Sequence, residues 1–157
     1  MDKLQQYVEE FGLYFERVGL PRMAGRIIGT LLISEPAQQS MQEIGAALQA
    51  SKSSVSTALK LLVSLRLVDQ VSIPGERRDY YRANSDMWIR SFRSRMHQMT
   101  ELRELAEHGL DLMADAPPER RRRLENMYAT NKFLEDEFPK LLDKWEAEKK
   151  ARGYDDT

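Results

Sequence analysis

Between Ser51 and Lys60 the chain interleaves Lys52, Ser53, Ser54, Ser56, Thr57 and Lys60 with Val55, Ala58 and Leu59. On a helix the apolar members share an inner face, and the short hydroxyls and lysines take the outer one. Such an outer face suits polyanion chemistry: lysine neutralises phosphate, and serine and threonine hydroxyls bond phosphate oxygens or base edges. None of these side chains blocks close approach to a major groove. A second basic pair, Arg77 and Arg78, lies in the turn sequence Pro74-Gly75-Glu76-Arg77-Arg78. From a turn, two arginines can reach phosphates or enter a neighbouring minor groove.

Catalytic chemistry is not written into the chain. There is no glycine-rich phosphate loop, no nucleophile–base–acid set and no metal-ligand spacing. Cysteine is absent, which excludes disulfides and thiolate metal sites. His97 and His108 stand three helical turns apart, too far to share a metal ion, and read as surface or seam residues. The expectation is a protein that is not an enzyme and carries no cofactor.

Net charge is −1, which by itself argues against a nucleic-acid binder. The distribution reverses that reading: −2 over residues 1–19, +5 over 20–95 and −4 over 96–157. A basic middle on an acidic frame fits a central polyanion-binding module. No run of about 18 apolar residues is present, and Met1 to Glu10 is amphipathic and acidic. A soluble, cytoplasmic protein without membrane contact is expected.

The elements that position these residues follow from pattern. Asp2 to Val18 reads as a helix capped by Asp2, with Tyr7, Phe11, Tyr14 and Phe15 as an aromatic stripe. Pro21 opens a second helix that ends at Ser34-Glu35-Pro36. Ser40 and Glu43 form a capping box for a short helix to about Leu48. Gln49-Ala50-Ser51 is a turn, and Ser51 caps a third helix from Lys52 to about Leu65. Ile44 and Leu48, small Gly45 and Ala50, and Val55, Ala58, Leu59 and Leu62 supply what two short helices crossing at a tight turn require. Leu67 to Ile73 alternates as a strand, and Asp79 to Ala83 is its return. Ser85 caps a long helix to about Ala114, whose seam runs Trp88, Phe92, Met96, Met99, Leu102, Leu105 or Ala106, and Leu110. A last helix spans about Pro118 to Lys150, with Pro139 set to kink or divide it.

The prediction is a mainly α chain: a winged helix-turn-helix with a small β-hairpin wing, flanked by long dimerisation helices. Its parts are an N-terminal dimerisation helix (1–19), a DNA-binding domain (20–84) and a C-terminal helical dimerisation region (85–157). The order helix, helix, helix-turn-helix, wing, long helix resembles the MarR superfamily of transcriptional regulators. The segment Gly19 to Leu32 most resembles its GbsR-like branch. This resemblance implies a homodimer that binds an inverted repeat in double-stranded DNA as a transcriptional regulator, a repressor. It also implies that Ser51 to Lys60 is the recognition region and that Arg77 and Arg78 are the wing tip. Arg66 departs from the family, which commonly has glycine between recognition helix and strand. That departure leaves the local helix end open.

Two readings stand for the aromatic and methionine residues Tyr7, Phe11, Tyr14, Phe15, Trp88, Phe92, Met96 and Met99. They form a dimer or domain core, or they line an effector pocket. For the second, the GbsR-like resemblance implies a small cationic ligand, which aromatic rings can cage. Arg120 to Arg123 read as a solvated face beside Glu125, with a second DNA contact as the alternative. The rival function is a winged helix used for protein contacts alone.

Overall fold

The computed structural model describes residues 2–154, and the chain divides after Met87 into two compact units. The first unit begins with α1 (Lys3–Arg17) and α2 (Arg22–Ile33). At the start of α1 the Asp2 N–H donates to Gln5 Oε1 at 3.3 Å. The helix ends at Gly19, whose φ of +84° suits a residue without Cβ. α1 then packs along α2 at backbone contact. A Cβ on Gly29 of α2 would stand 3.0 Å from Phe11 Cβ and 3.2 Å from Val8 Cα. Val8 and Phe15 are buried by this contact, and Phe11 is half-buried.

α3 (Met41–Leu48) and α4 (Lys52–Ser64) form the helix-turn-helix. Ser40 N–H donates to Glu43 Oε2 at 2.7 Å and Glu43 N–H to Ser40 Oγ at 3.3 Å, the reciprocal capping that the spacing predicts. Ile27, Ile28, Ile44, Val55, Leu59 and Leu62, none more than 2% exposed, join the helices into one core. β2 (Val68–Ser72) and β3 (Asp79–Ala83) pair antiparallel, with Val68 opposite Ala83 and Ser72 opposite Asp79. A two-residue strand, β1 (Gln39–Ser40), was not expected from the sequence; it pairs with β3 to give the order β1-β3-β2. Two residues have no periodicity to read, so only their partner strand defines them.

Arg66 resolves the open end of α4. It takes φ +57°, while Arg66 N–H donates to the Val63 carbonyl (3.0 Å) and Leu67 N–H to the Leu62 carbonyl (2.9 Å). These two bonds make a Schellman close with arginine in the left-handed position usually held by glycine. Left-handed backbone costs an L-residue about 1 kcal/mol. Arg66→Gly is therefore expected to raise stability by up to about 1 kcal/mol. Urea unfolding should register a higher midpoint at unchanged slope; a lower midpoint would contradict the assignment.

The second unit comprises α5 (Met87–Leu112) from Trp88 onward and α6 (Pro118–Ala151). α5 starts at Met87, two residues beyond the expected Ser85 cap. Asn84 Oδ1 accepts the Asp86 N–H at 2.9 Å, so a turn precedes the helix. α6 runs unbroken through Pro139, so of the kink or division expected there the division does not occur. A single missing N–H is tolerated in a helix of 34 residues. The two helices meet as an antiparallel pair. Phe92 and Phe138 lie edge to face at 5.0 Å, Arg103 Nε donates to Glu135 at 2.5 Å, and Gly109 faces Leu124. Among the described residues of this unit, Ala106 is the one buried apolar side chain. Trp88, Leu105, Phe133 and Leu141 remain at least half exposed. No helix among the described residues is long and apolar enough to cross a membrane.

Candidate nucleic-acid interface

Ser51 begins the site. Its Oγ accepts the Ser54 N–H at 3.2 Å and lies 3.1 Å from Ser53 Oγ, fixing the first turn of α4. With Val55, Ala58, Leu59 and Leu62 held in the core, the helix has one rotational setting. Lys52, Ser53, Thr57 and Lys60 are exposed, and Ser53, Thr57 and Lys60 share a face at i, i+4 and i+7. Ser54 and Ser56 are half-buried at its flanks, and Ser54 gives its N–H to the cap. The outward face is thus narrower than the sequence implied.

The turn before α4 places Gln49 at φ 49°, ψ 42°, in the left-handed region. Gly45 faces the turn: a Cβ there would sit 3.5 Å from the Ala50 carbonyl oxygen, ordinary contact distance. A small residue is needed at this crossing, though not glycine itself.

The wing loop joins β2 to β3, with Gly75 at φ +87° and Glu76 N–H donating to the Ile73 carbonyl at 3.0 Å. Arg77 and Arg78 are exposed. Neither they nor Lys52 and Lys60 are held in a salt bridge among the described residues, whereas Arg82 is paired with Asp69 across the strands at 3.7 Å. A cleft of about 640 Å³ opens between α3, the start of α4 and the wing, and both Lys52 and Arg78 line it. Gln42 and Gln49 line it as well, as does Asp79. The two glutamines were not singled out from the sequence. Only their exposed polar character beside the turn could have marked them.

Two groups at or beside this cleft are shifted from their ordinary values. The Ser40 backbone N–H, then its hydroxyl, hold the Glu43 carboxyl below the usual carboxylate range, with Arg78 adding a smaller pull. Burial, followed by the Asp79 charge, pushes the Tyr81 phenol up. Glu43 is therefore ionised and Tyr81 neutral at neutral pH, and neither adds a mobile charge near Lys52 and Arg78.

The residues expected to form a core or an effector pocket fall in both units. Tyr7 and Phe11 stack edge to face at 5.1 Å and Phe15 is in the first unit's core; Tyr14 is 41% exposed. In the second unit Trp88 is 50% exposed, while Phe92, Met96 and Met99 are half-buried. His97 and His108 are exposed, and among the described residues no cluster of three metal-ligating side chains occurs. In the arginine run, Arg121 Nε stands 3.8 Å from Glu125, and Arg120, Arg122 and Arg123 are exposed.

Comparison with known proteins accords with this geometry. Residues 18–79 match the MarR family, and residues 86–148 match the MmpR5-like MarR family transcriptional regulators. The HTH-type transcriptional regulator MmpR5 of Mycobacterium tuberculosis is 37% identical over 132 residues, which cover 84% of this chain and 80% of the relative. A crystal structure described as a transcriptional regulator superposes with a TM-score of 0.71 at 34% identity, covering 93% of this chain and 99% of the other. With its winged helix-turn-helix and these matches along both units, the chain belongs to the MarR family of DNA-binding transcriptional regulators.

Proposed function

We propose that the protein binds an inverted-repeat operator as a homodimer and represses transcription by occupying it. The observation that carries the DNA contact is the meeting of Lys52 and Arg78, from separate elements, at one cleft beside the exposed face of α4. In this reading Lys52, Lys60, Arg77 and Arg78 neutralise phosphates. Ser51 fixes the helix start, Ser53 and Thr57 face base edges, and Ser54 and Ser56 steady the flanks. Two-fold symmetry sets the recognition helices in successive major grooves, about 10 bp apart.

Residues 1–19 and 85–157 supply the dimer scaffold. A two-helix unit with Trp88 50%, Leu105 62% and Phe133 64% exposed has apolar surface that a second copy would cover. The scaffold aromatics also serve as the entry point for a small effector that alters the spacing of the two reading heads. The Gly19 to Leu32 likeness to GbsR-like regulators belongs to this proposal, beside the MmpR5-like match. The site of action is the cytoplasm.

Selection from a random duplex pool tests the reading. An inverted repeat should emerge, and recovery of no preferred sequence would overturn it in favour of a winged helix that binds protein alone. Thr57→Ala is a finer probe. It should relax the preference at one base position, at a cost of about 1 kcal/mol there, with little change on random DNA. A uniform loss on all sequences would make Thr57 a backbone contact instead.

A further inference from the structure

We propose that Arg26 is a positioning residue through which the N-terminal helix sets the geometry of the helix-turn-helix turn. The proposal rests on the DNA-reading role above. Arg26 lies on α2, and its Nε stands 2.6 Å from Glu9 Oε1 on α1. Its Nη2 donates to the Leu48 carbonyl at 3.2 Å. Glu9 Oε2 also holds Arg22 at 3.0 Å, so the carboxylate is gripped from two sides by α2.

Leu48 is the last residue of α3, where carbonyls have no helical partner. A cation there is favoured both as a hydrogen-bond donor and by the helix dipole. The next residue is Gln49, whose left-handed backbone redirects the chain towards α4. One guanidinium therefore spans three helices and ends one residue from the bend that aims the recognition helix. The planar fork of arginine carries the ion pair and the hydrogen bond on a single rigid group, which lysine cannot do.

The side chains of Arg26 and Glu9 are only 24% and 29% exposed, so solvent screens the pair less than a surface pair. A groove of about 380 Å³, walled by Leu4, Val8, Ile33 and Leu48, opens over the pair. Arg26 thus has space to leave Leu48 without disturbing the core. Movement of α1 against α2 shifts Glu9, Glu9 shifts Arg26, and the α3 end loses or regains its closing bond.

Wild type, Arg26→Met, Arg26→Lys and Glu9→Gln should be compared on the selected operator and on a random-sequence duplex across a salt series. Arg26→Met is expected to weaken operator binding about tenfold, with random-duplex affinity and salt slope unchanged. Arg26→Lys should fall between, and Glu9→Gln added to Arg26→Met should have little further effect. Amide exchange at Gln49 and Ala50 should quicken in Arg26→Met, while that of the α4 core residues Leu59 and Leu62 stays slow. Should Arg26→Met not fold, Glu9→Gln carries the same comparison. Operator affinity equal to wild type in the folded variants overturns the positioning role alone. Equal losses on both duplexes overturn it too, as a general defect. A wild type that selects no sequence removes the DNA-reading role and this inference with it.

Discussion

Gly25→Ala is expected to destabilise the protein by about 2 kcal/mol or more, although alanine is the better helix former. Two effects oppose each other. Replacing an interior helical glycine gains about 1 kcal/mol of propensity. Against this, a Cβ at Gly25 would lie 2.4 Å from the Phe11 carbonyl oxygen, 2.8 Å from Phe15 Cβ and 2.9 Å from Gly12 Cα. Two of these neighbours are backbone and cannot swing aside, so α1 must move bodily off α2. Overpacking of this kind costs about 3 kcal/mol. Clash outweighs propensity. The thermal midpoint should fall by about 4–8 °C in a chain of this size, and an unchanged or higher midpoint would show that the helices do not pack at backbone contact.

Arg77→Ala combined with Arg78→Ala should weaken binding to the operator and to random duplexes together, on the order of tenfold at low salt. It should also flatten the dependence of affinity on salt by about 1 logarithmic unit per phosphate contact removed. Both arginines lie outside any salt bridge among the described residues, so their loss leaves no partner unpaired and should barely alter the thermal midpoint. Filter binding across a salt series checks both effects. Unchanged affinity and slope would remove the wing from the interface.

The helix-turn-helix was legible because its signals are local. The Ser40/Glu43 capping box and the Ser51 cap act within three residues, and the inward positions from Ile44 to Leu62 repeat at helical spacing. The β2–β3 hairpin was legible for the same reason. What escaped were features that exist only once elements dock. β1 is two residues defined by β3, and Glu9 and Arg26 are 17 positions apart and meet only because glycines bring α1 onto α2. Arg66 falls between: its departure from glycine was visible, but the arginine's adoption of left-handed backbone was not. The half-burial of Ser54 and Ser56 was likewise hidden, since a helical wheel gives direction and not the depth of the neighbours.

In the sheet, β3 is the central strand, paired with β1 on one side and β2 on the other. Arg78 directly precedes Asp79, the first residue of that strand, whereas Arg77 lies one residue farther into the loop. The two adjacent arginines are therefore thermodynamically unequal. Arg78 leaves a base paired with Ser72 of β2 and followed at once by Tyr80, which is held on both edges, so less backbone freedom remains for it to lose at the proposed phosphate contact. Arg77 must be immobilised at that moment, surrendering about 1 kcal/mol or more of backbone entropy. In the proposed interface a rigid finger and a loose one would thus share a single wing, the first supplying register and the second adapting to grooves of differing width.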